Sequence, residues 1–181
     1  ELETLADEIR GFLLYTIGKT GGHLGAGLGV VELTISLLKV FNLEKDKIVW
    51  DVGHQSYPYK ILTGRKNYMH LLRKPNGIAP FPSIEESRYD SFGTGHSSTS
   101  ISAALGLRLA TPKDTEENSI ISVIGDGALT AGIAFEALNH AATLKPNLLI
   151  IINDNAMSIS KNVGGITNYL YDKPIALVPA I

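Results

Sequence analysis

The 181-residue chain has no cysteine, which excludes a disulfide framework and any thiolate-ligated metal and fits a reducing compartment. It also lacks an excess of either charge. Sixteen Lys and Arg stand against 18 Asp and Glu, for a net charge of -2 and no basic run. A sequence-independent grip on a nucleic-acid backbone is therefore not expected. No apolar stretch is long enough to span a bilayer, and none reads as a signal peptide. The first residue is Glu1 rather than an initiator methionine, which is compatible with a removed targeting segment. Internal repeats and low-complexity tracts are missing as well. What remains is a 44% apolar composition over a length that suits one globular domain with a real core.

Two short motifs then stand out, Gly125-Asp126-Gly127 and Asn153-Asp154-Asn155. Each follows an apolar, β-branched run, SIISVI over 119–124 and NLLIII over 147–152, which read as central parallel strands buried on both faces. Between them a helical stripe of Ile133, Ala134, Ala137, Leu138, Ala141 and Leu144 runs from Thr130 until Pro146 stops it. A right-handed crossover makes the two strands parallel, so Asp126 and Asn155 emerge at the same carboxyl edge, where open α/β sheets bind ligands. The Asp126 carboxylate, the Asn155 amide oxygen and a backbone carbonyl just beyond, that of Met157, form a hard oxygen set suited to magnesium, with phosphate oxygens and water completing an octahedron. Gly127 and Ala128 are small enough to let backbone N–H groups approach an anion. Either motif alone reads as an ordinary turn. Paired at two parallel strand ends, they point to a magnesium and diphosphate site.

The rest of the chain is organised around further strand-end loops. Residues 2–17 form an amphipathic helix, 20–29 a glycine-rich loop, and 30–41 a second helix. Residues 47–52 form a short strand that delivers Gly53-His54 to the same kind of edge. An irregular excursion is expected over 67–90, followed by a glycine and hydroxyl turn at 93–98 that opens the helix 99–110. His23, His54 and His96 each sit in a Gly-His pair on a loop, whereas His70 and His140 lie in helix-like stretches. Residue type alone favours a structural or solvated role for each.

The motif pair resembles the thiamine diphosphate fingerprint, a Gly-Asp-Gly followed about thirty residues later by a run of asparagines. Four segments narrow the resemblance: TGGHLGAGLGVVELTISLL from Thr20, WDVGHQSYPYKILTGR from Trp50, FGTGHSSTSISAALGL from Phe92, and GDGALTAGIAFEALNHA continuing to NDNAMSISKNVGG. In this order they are similar to the 1-deoxy-D-xylulose-5-phosphate synthase family, more so than to transketolases. The likeness implies a three-layer thiamine diphosphate-binding α/β fold with a mainly parallel sheet flanked by helices, residues 1–181 being the diphosphate- and metal-binding domain. It implies thiamine diphosphate and Mg2+ as cofactors, with His54 on the diphosphate and Gly95, His96 and Ser97 in a second cofactor-binding segment. Gly127, Ala128 and Asn155 complete the cofactor-binding set, Asp126, Asn155 and Met157 hold the metal, and His23 faces the reacting centre and assists proton transfer. His70 and His140 keep the structural reading.

The implied reaction joins pyruvate to D-glyceraldehyde 3-phosphate with loss of carbon dioxide, giving 1-deoxy-D-xylulose 5-phosphate, a precursor of isoprenoids, thiamine and pyridoxal. The resemblance also implies a homodimer in the cytoplasm, or in the plastid for a plant protein, with no nucleic-acid or membrane partner. Members of the family are several times longer, and the glutamate that activates their cofactor lies in a pyrimidine-binding domain, so this chain needs one in cis or in trans and is expected to be inactive alone. After Leu170 the tail matches nothing in the family pattern. Two alternatives stay open: a transketolase-type subunit acting on sugar phosphates, and a non-catalytic homologue that retains the fold.

Overall fold

The computed structural model describes residues 1–111, 118–154, 163–165 and 168. The chain divides into two compact units, Glu1–Glu44 with Gly53–Gly95, and Lys45–Val52 with His96–Ile181.

The first unit is built on helix α1, Leu2–Thr20, whose Ala6, Ile9, Leu13, Thr16 and Ile17 are buried at helical spacing. Gly21 ends the helix with φ 75°, and its N–H bonds the Ile17 carbonyl. The glycine-rich region beyond is not wholly a loop, since Leu24–Leu28 forms a short helix, α2, with His23 at its N-cap. Two glycines within five residues hide that turn from a propensity reading. Helix α3, Val31–Val40, follows with Val31 and Ile35 in the same core as Leu13. Helix α4, Tyr57–Lys60, has a proline in its first turn, where no intrahelical N–H is needed. It runs on through Ile61–Arg65, where Gly64 at φ 94° breaks the helical path, into a 3-10 helix over Lys66–Leu71. From 72 to 95 the chain has no regular element, so the excursion expected over 67–90 begins only at 72, residues 67–71 being helical instead. Leu72 and Ile78 nevertheless turn inward to the α1 core, beside Met69 of the 3-10 helix.

The second unit carries the sheet. Strands β1, Lys47–Trp50, β2, Ile120–Gly125, and β3, Leu149–Asn153, lie side by side in the order β1-β2-β3, all parallel. Lys47 pairs with Ile120, and Gly125 with Asn153. Helix α5, Ser100–Ala110, and helix α7, Gly132–Leu144, pack against one face of the sheet, where Val49, Ile120 and Ile124 meet Ile101, Ala104, Ala134, Ala137 and Ala141. Ile121 and Val123 point to the other face and are fully buried too. This is the α/β arrangement with a parallel sheet that the apolar runs suggest.

Two local expectations change. Residues in β3 are only half-buried, and among the described residues β3 pairs on one side, so β2 alone is central. An apolar run records the burial of strand faces, not the pairing of strand edges. The stripe on α7 is also narrower than its sequence suggests: Ala134, Ala137 and Ala141 are buried, while Ile133 and Leu144 stay 43% and 44% exposed. The turn before it holds a four-residue helix of its own, α6, Asp126–Leu129.

Candidate functional site

In the first unit the two histidine loops meet. The His23 and His54 rings pack edge to face with centroids 5.5 Å apart, and Phe81 lies tilted beside His23 at 6.1 Å. The Tyr57 hydroxyl accepts the His23 backbone N–H at 3.4 Å. A side chain at Gly22 could not coexist with that hydroxyl, because its Cβ would stand 2.7 Å from the oxygen. Gly53, just before His54, is equally constrained. Its φ is 93°, and a Cβ there would lie 2.3 Å from Cδ of Pro82. A Cβ at Gly95 would stand 3.8 Å from the Phe81 ring, in ordinary contact with it.

The irregular segment behind these loops is anchored by buried charge. Glu86 accepts hydrogen bonds from Lys60, from Arg65 at 2.8 Å and from the Ala79 N–H at 2.6 Å. Asp90 takes a bidentate pair from Arg65 at 2.7 and 2.9 Å and the Ser83 N–H at 2.9 Å. The Lys60 side chain is 0% exposed. Burial pulls the Lys60 ammonium below its ordinary range, with Glu86 opposing. For Glu86 burial acts upward, but the bonds from Lys60, the Ala79 N–H and Arg65 outweigh it, so its carboxyl titrates below the usual range.

In the second unit the key group is Asp51, at the end of β1. Its two carboxylate oxygens accept the Ser98 N–H at 2.7 Å and the Ser100 N–H at 3.0 Å, capping α5 from a neighbouring strand. Ser98 sits at φ 72°, and its hydroxyl donates to the Ala128 carbonyl at 2.6 Å. One buried carboxylate thus holds the turn bearing His96 and Ser97, and through Ser98 ties it to the turn bearing Gly127 and Ala128. His96 and Ser97 themselves are exposed. Neither Asp51 nor Ser98 stands out in the sequence as a site residue. The signal present was Asp51 directly after a strand and two residues before Gly53, a pattern shared by many structural aspartates.

Asp126 follows β2 and is 6% exposed. Because Gly125 pairs with Asn153, Asp126 and Asp154 leave the sheet at the same level. Burial pushes the Asp126 carboxyl above its ordinary range; the Gly127 N–H opposes this, while the charge of Asp154 and a hydrogen bond to it add to it. Asn155 and Met157 lie outside the described residues. Among the described residues no group of three or more His, Asp or Glu forms a metal cluster, and the expected metal set is represented by Asp126 alone. His70 is exposed and its Nδ1 lies 2.9 Å from the Asn67 carbonyl, while His140 is exposed on α7. No helix among the described residues is long and apolar enough to cross a membrane.

The family described as 1-deoxy-D-xylulose-5-phosphate synthase matches residues 1–176, so the likeness runs beyond Leu170, where it was expected to stop. Synthases of that name from Pseudomonas fluorescens and Ectopseudomonas mendocina are 65% and 63% identical to the chain over 170 residues. In each case the match covers 94% of this chain and 27% of the relative, so the chain spans little more than a quarter of the length of these curated relatives. Among solved structures, a transketolase from Leishmania mexicana superposes with a TM-score of 0.75 at 19% identity, covering 94% of this chain and 31% of that one. A mutant transketolase from Pichia stipitis in complex with fructose 6-phosphate gives 0.72 at 22% identity, covering 87% and 27%. These structures share the fold.

Proposed function

The chain belongs to the 1-deoxy-D-xylulose-5-phosphate synthase family, and from that membership we propose that it forms the diphosphate- and metal-binding domain of a thiamine diphosphate-dependent synthase. The observation that carries this is the pairing of Gly125 with Asn153, which brings Asp126 and Asp154 off adjacent strand ends in a chain 65% identical to named synthases. A buried carboxylate whose proton affinity is raised beside a second one is relieved by a divalent cation, and magnesium suits an all-oxygen donor set. Asp126, the Asn155 amide and the Met157 carbonyl hold that ion. His54, the Gly95-His96-Ser97 turn, Gly127, Ala128 and Asn155 hold the cofactor.

Bound thiamine diphosphate supplies a carbon nucleophile and an electron sink for the decarboxylation of pyruvate. The chain's own contribution is to orient and to move protons. His23, exposed on its glycine loop, gives a proton to the aldehyde oxygen of D-glyceraldehyde 3-phosphate as the new carbon–carbon bond forms. The assembled enzyme is a homodimer in the cytoplasm, with a pyrimidine-binding domain supplied in cis or in trans.

Calorimetry of the chain with thiamine diphosphate tests the reading. Binding is expected to require magnesium and to be lost in Asp126→Asn; no binding even with the pyrimidine-binding domain added would refute it. With that domain present, labelled pyruvate should release carbon dioxide, whereas ketol transfer from a sugar phosphate would identify a transketolase instead. The chain alone should release none. His23→Ala in the complemented enzyme should lower turnover far more than cofactor affinity.

A further inference from the structure

The segment around Phe81 belongs to no motif, yet it touches every loop that carries function in the first unit. Pro80 and Pro82 flank Phe81 and restrict the backbone on both sides of it, so the ring is presented from a bend at 80–81 with few alternatives. Pro82 is seated on Gly53, where even a methyl group would collide with it, and the Phe81 ring lies between Gly95 and His23. His23 packs on two rings, His54 at 5.5 Å and Phe81 at 6.1 Å. It follows Gly21 at φ 75° and Gly22 at φ 143°, and an exposed side chain on a glycine loop ordinarily samples several rotamers.

Both ends of the segment are tied to the buried charges. Glu86 takes the N–H of Ala79 at its start, and Asp90 takes the N–H of Ser83 at its end. The two carboxylates are in turn held by Lys60 and Arg65, two cations for two anions. A desolvated, balanced network of this kind adds little net stability over an apolar core, and its return is a defined geometry. Here the geometry it defines is the position of residues 79–83.

We propose that Phe81 is a positioning residue for His23, and that residues 79–83 are a strap whose seat is set by Lys60, Arg65, Glu86 and Asp90. The inference rests on the assignment of His23 to proton transfer, because a proton donor confined to one rotamer loses less freedom on reaching the transition state. Phe81 acts through His23 rather than on substrate.

Nuclear magnetic resonance on the isotopically labelled chain tests this without turnover. The wild-type chain should show ring-to-ring cross-peaks between Phe81 and His23, and His23 side-chain couplings of a single rotamer. Phe81→Leu should lose the cross-peaks and give averaged couplings at His23 while the β2 amide resonances stay in place, and Phe81→Tyr should restore the single rotamer. Glu86→Gln, which leaves the ring intact, should weaken the same cross-peaks by loosening the Ala79 anchor, and it decides the matter if Phe81→Leu does not fold. A single His23 rotamer in both Phe81→Leu and Glu86→Gln, or averaging already in the wild type, would overturn the proposal. Full turnover of a complemented His23→Ala enzyme would instead remove the proton-transfer assignment and leave the rotamer result standing.

Discussion

The two units hold their candidate residues by different physics. In the second unit Asp126 is placed by a strand ladder: once Gly125 pairs with Asn153, the residues that follow have little choice of position. In the first unit His23 caps a short helix and His54 lies on the loop four residues past β1, and their placement depends on side chains far apart in sequence: Tyr57, Phe81, Pro82 and the four charges at 60, 65, 86 and 90. Backbone pairing is generic and tolerant of substitution. A loop fixed by buried ions is specific and fragile, because removing one member strands another charge out of water.

Glu86→Ala should separate the two units most widely. It leaves the wholly buried Lys60 without its main partner and should cost about 3–5 kcal/mol in denaturant unfolding. Amide hydrogen exchange should accelerate over 79–90 and much less in β2; equal acceleration in both would mean that the units share one stability. The sign with pH follows from the same carboxyl. Glu86 titrates below its ordinary 4.5 in the folded chain, so its contribution is complete above that value and lost as pH falls through the depressed one. Acid unfolding should therefore begin in the first unit, and Glu86→Gln should flatten that part of the profile.

Asp51→Ala is the next largest, and it tests whether the second unit rests on its ladder alone. It leaves the Ser98 and Ser100 N–H groups buried without their acceptor, for a loss of about 2–4 kcal/mol. Exchange should rise at those two amides, and cofactor binding should weaken through the Gly127-Ala128 turn. Unchanged stability would show that the strands suffice.

Asp126→Asn should have the smallest effect on folding, and of the opposite sign. The folded carboxyl titrates above its ordinary 3.8, so the proton is favoured in the folded state, and the stability this contributes is lost as pH rises through the raised value. At neutral pH without magnesium the uncharged amide should raise the melting temperature, while magnesium-dependent binding of thiamine diphosphate falls at least ~10-fold, as for damage to a metal site's surroundings. A lower melting temperature would mean that the Asp126 charge is structurally required.

Legibility in the sequence follows the same division. The strands, the crossover helix and the edge at which Asp126 emerges could all be read from periodicity, because a local repeat reports local structure. Helix α2 could not, since glycine propensity outvoted a turn that tertiary contacts stabilise. Phe81 and Asp51 also escaped: Phe81 lies in no motif, Asp51 lies in the segment from Trp50 with no role attached to it, and each has its partners dozens of residues away. The histidines were legible only as members of Gly-His pairs, with roles suggested by resemblance and not by their spacing.

The α/β class, the parallel order of β2 and β3, the family and the identity of the carboxylate at the strand end are all legible without coordinates, because they depend on short-range pattern or on matching motifs. That His23 packs on His54 and Phe81, that Glu86 and Asp90 tie the backbone at 79 and 83 to Lys60 and Arg65, and that Asp51 links two turns became visible only in three dimensions. Those arrangements arise from contacts between residues with no periodic relation, and no local rule encodes a partner twenty or fifty positions away.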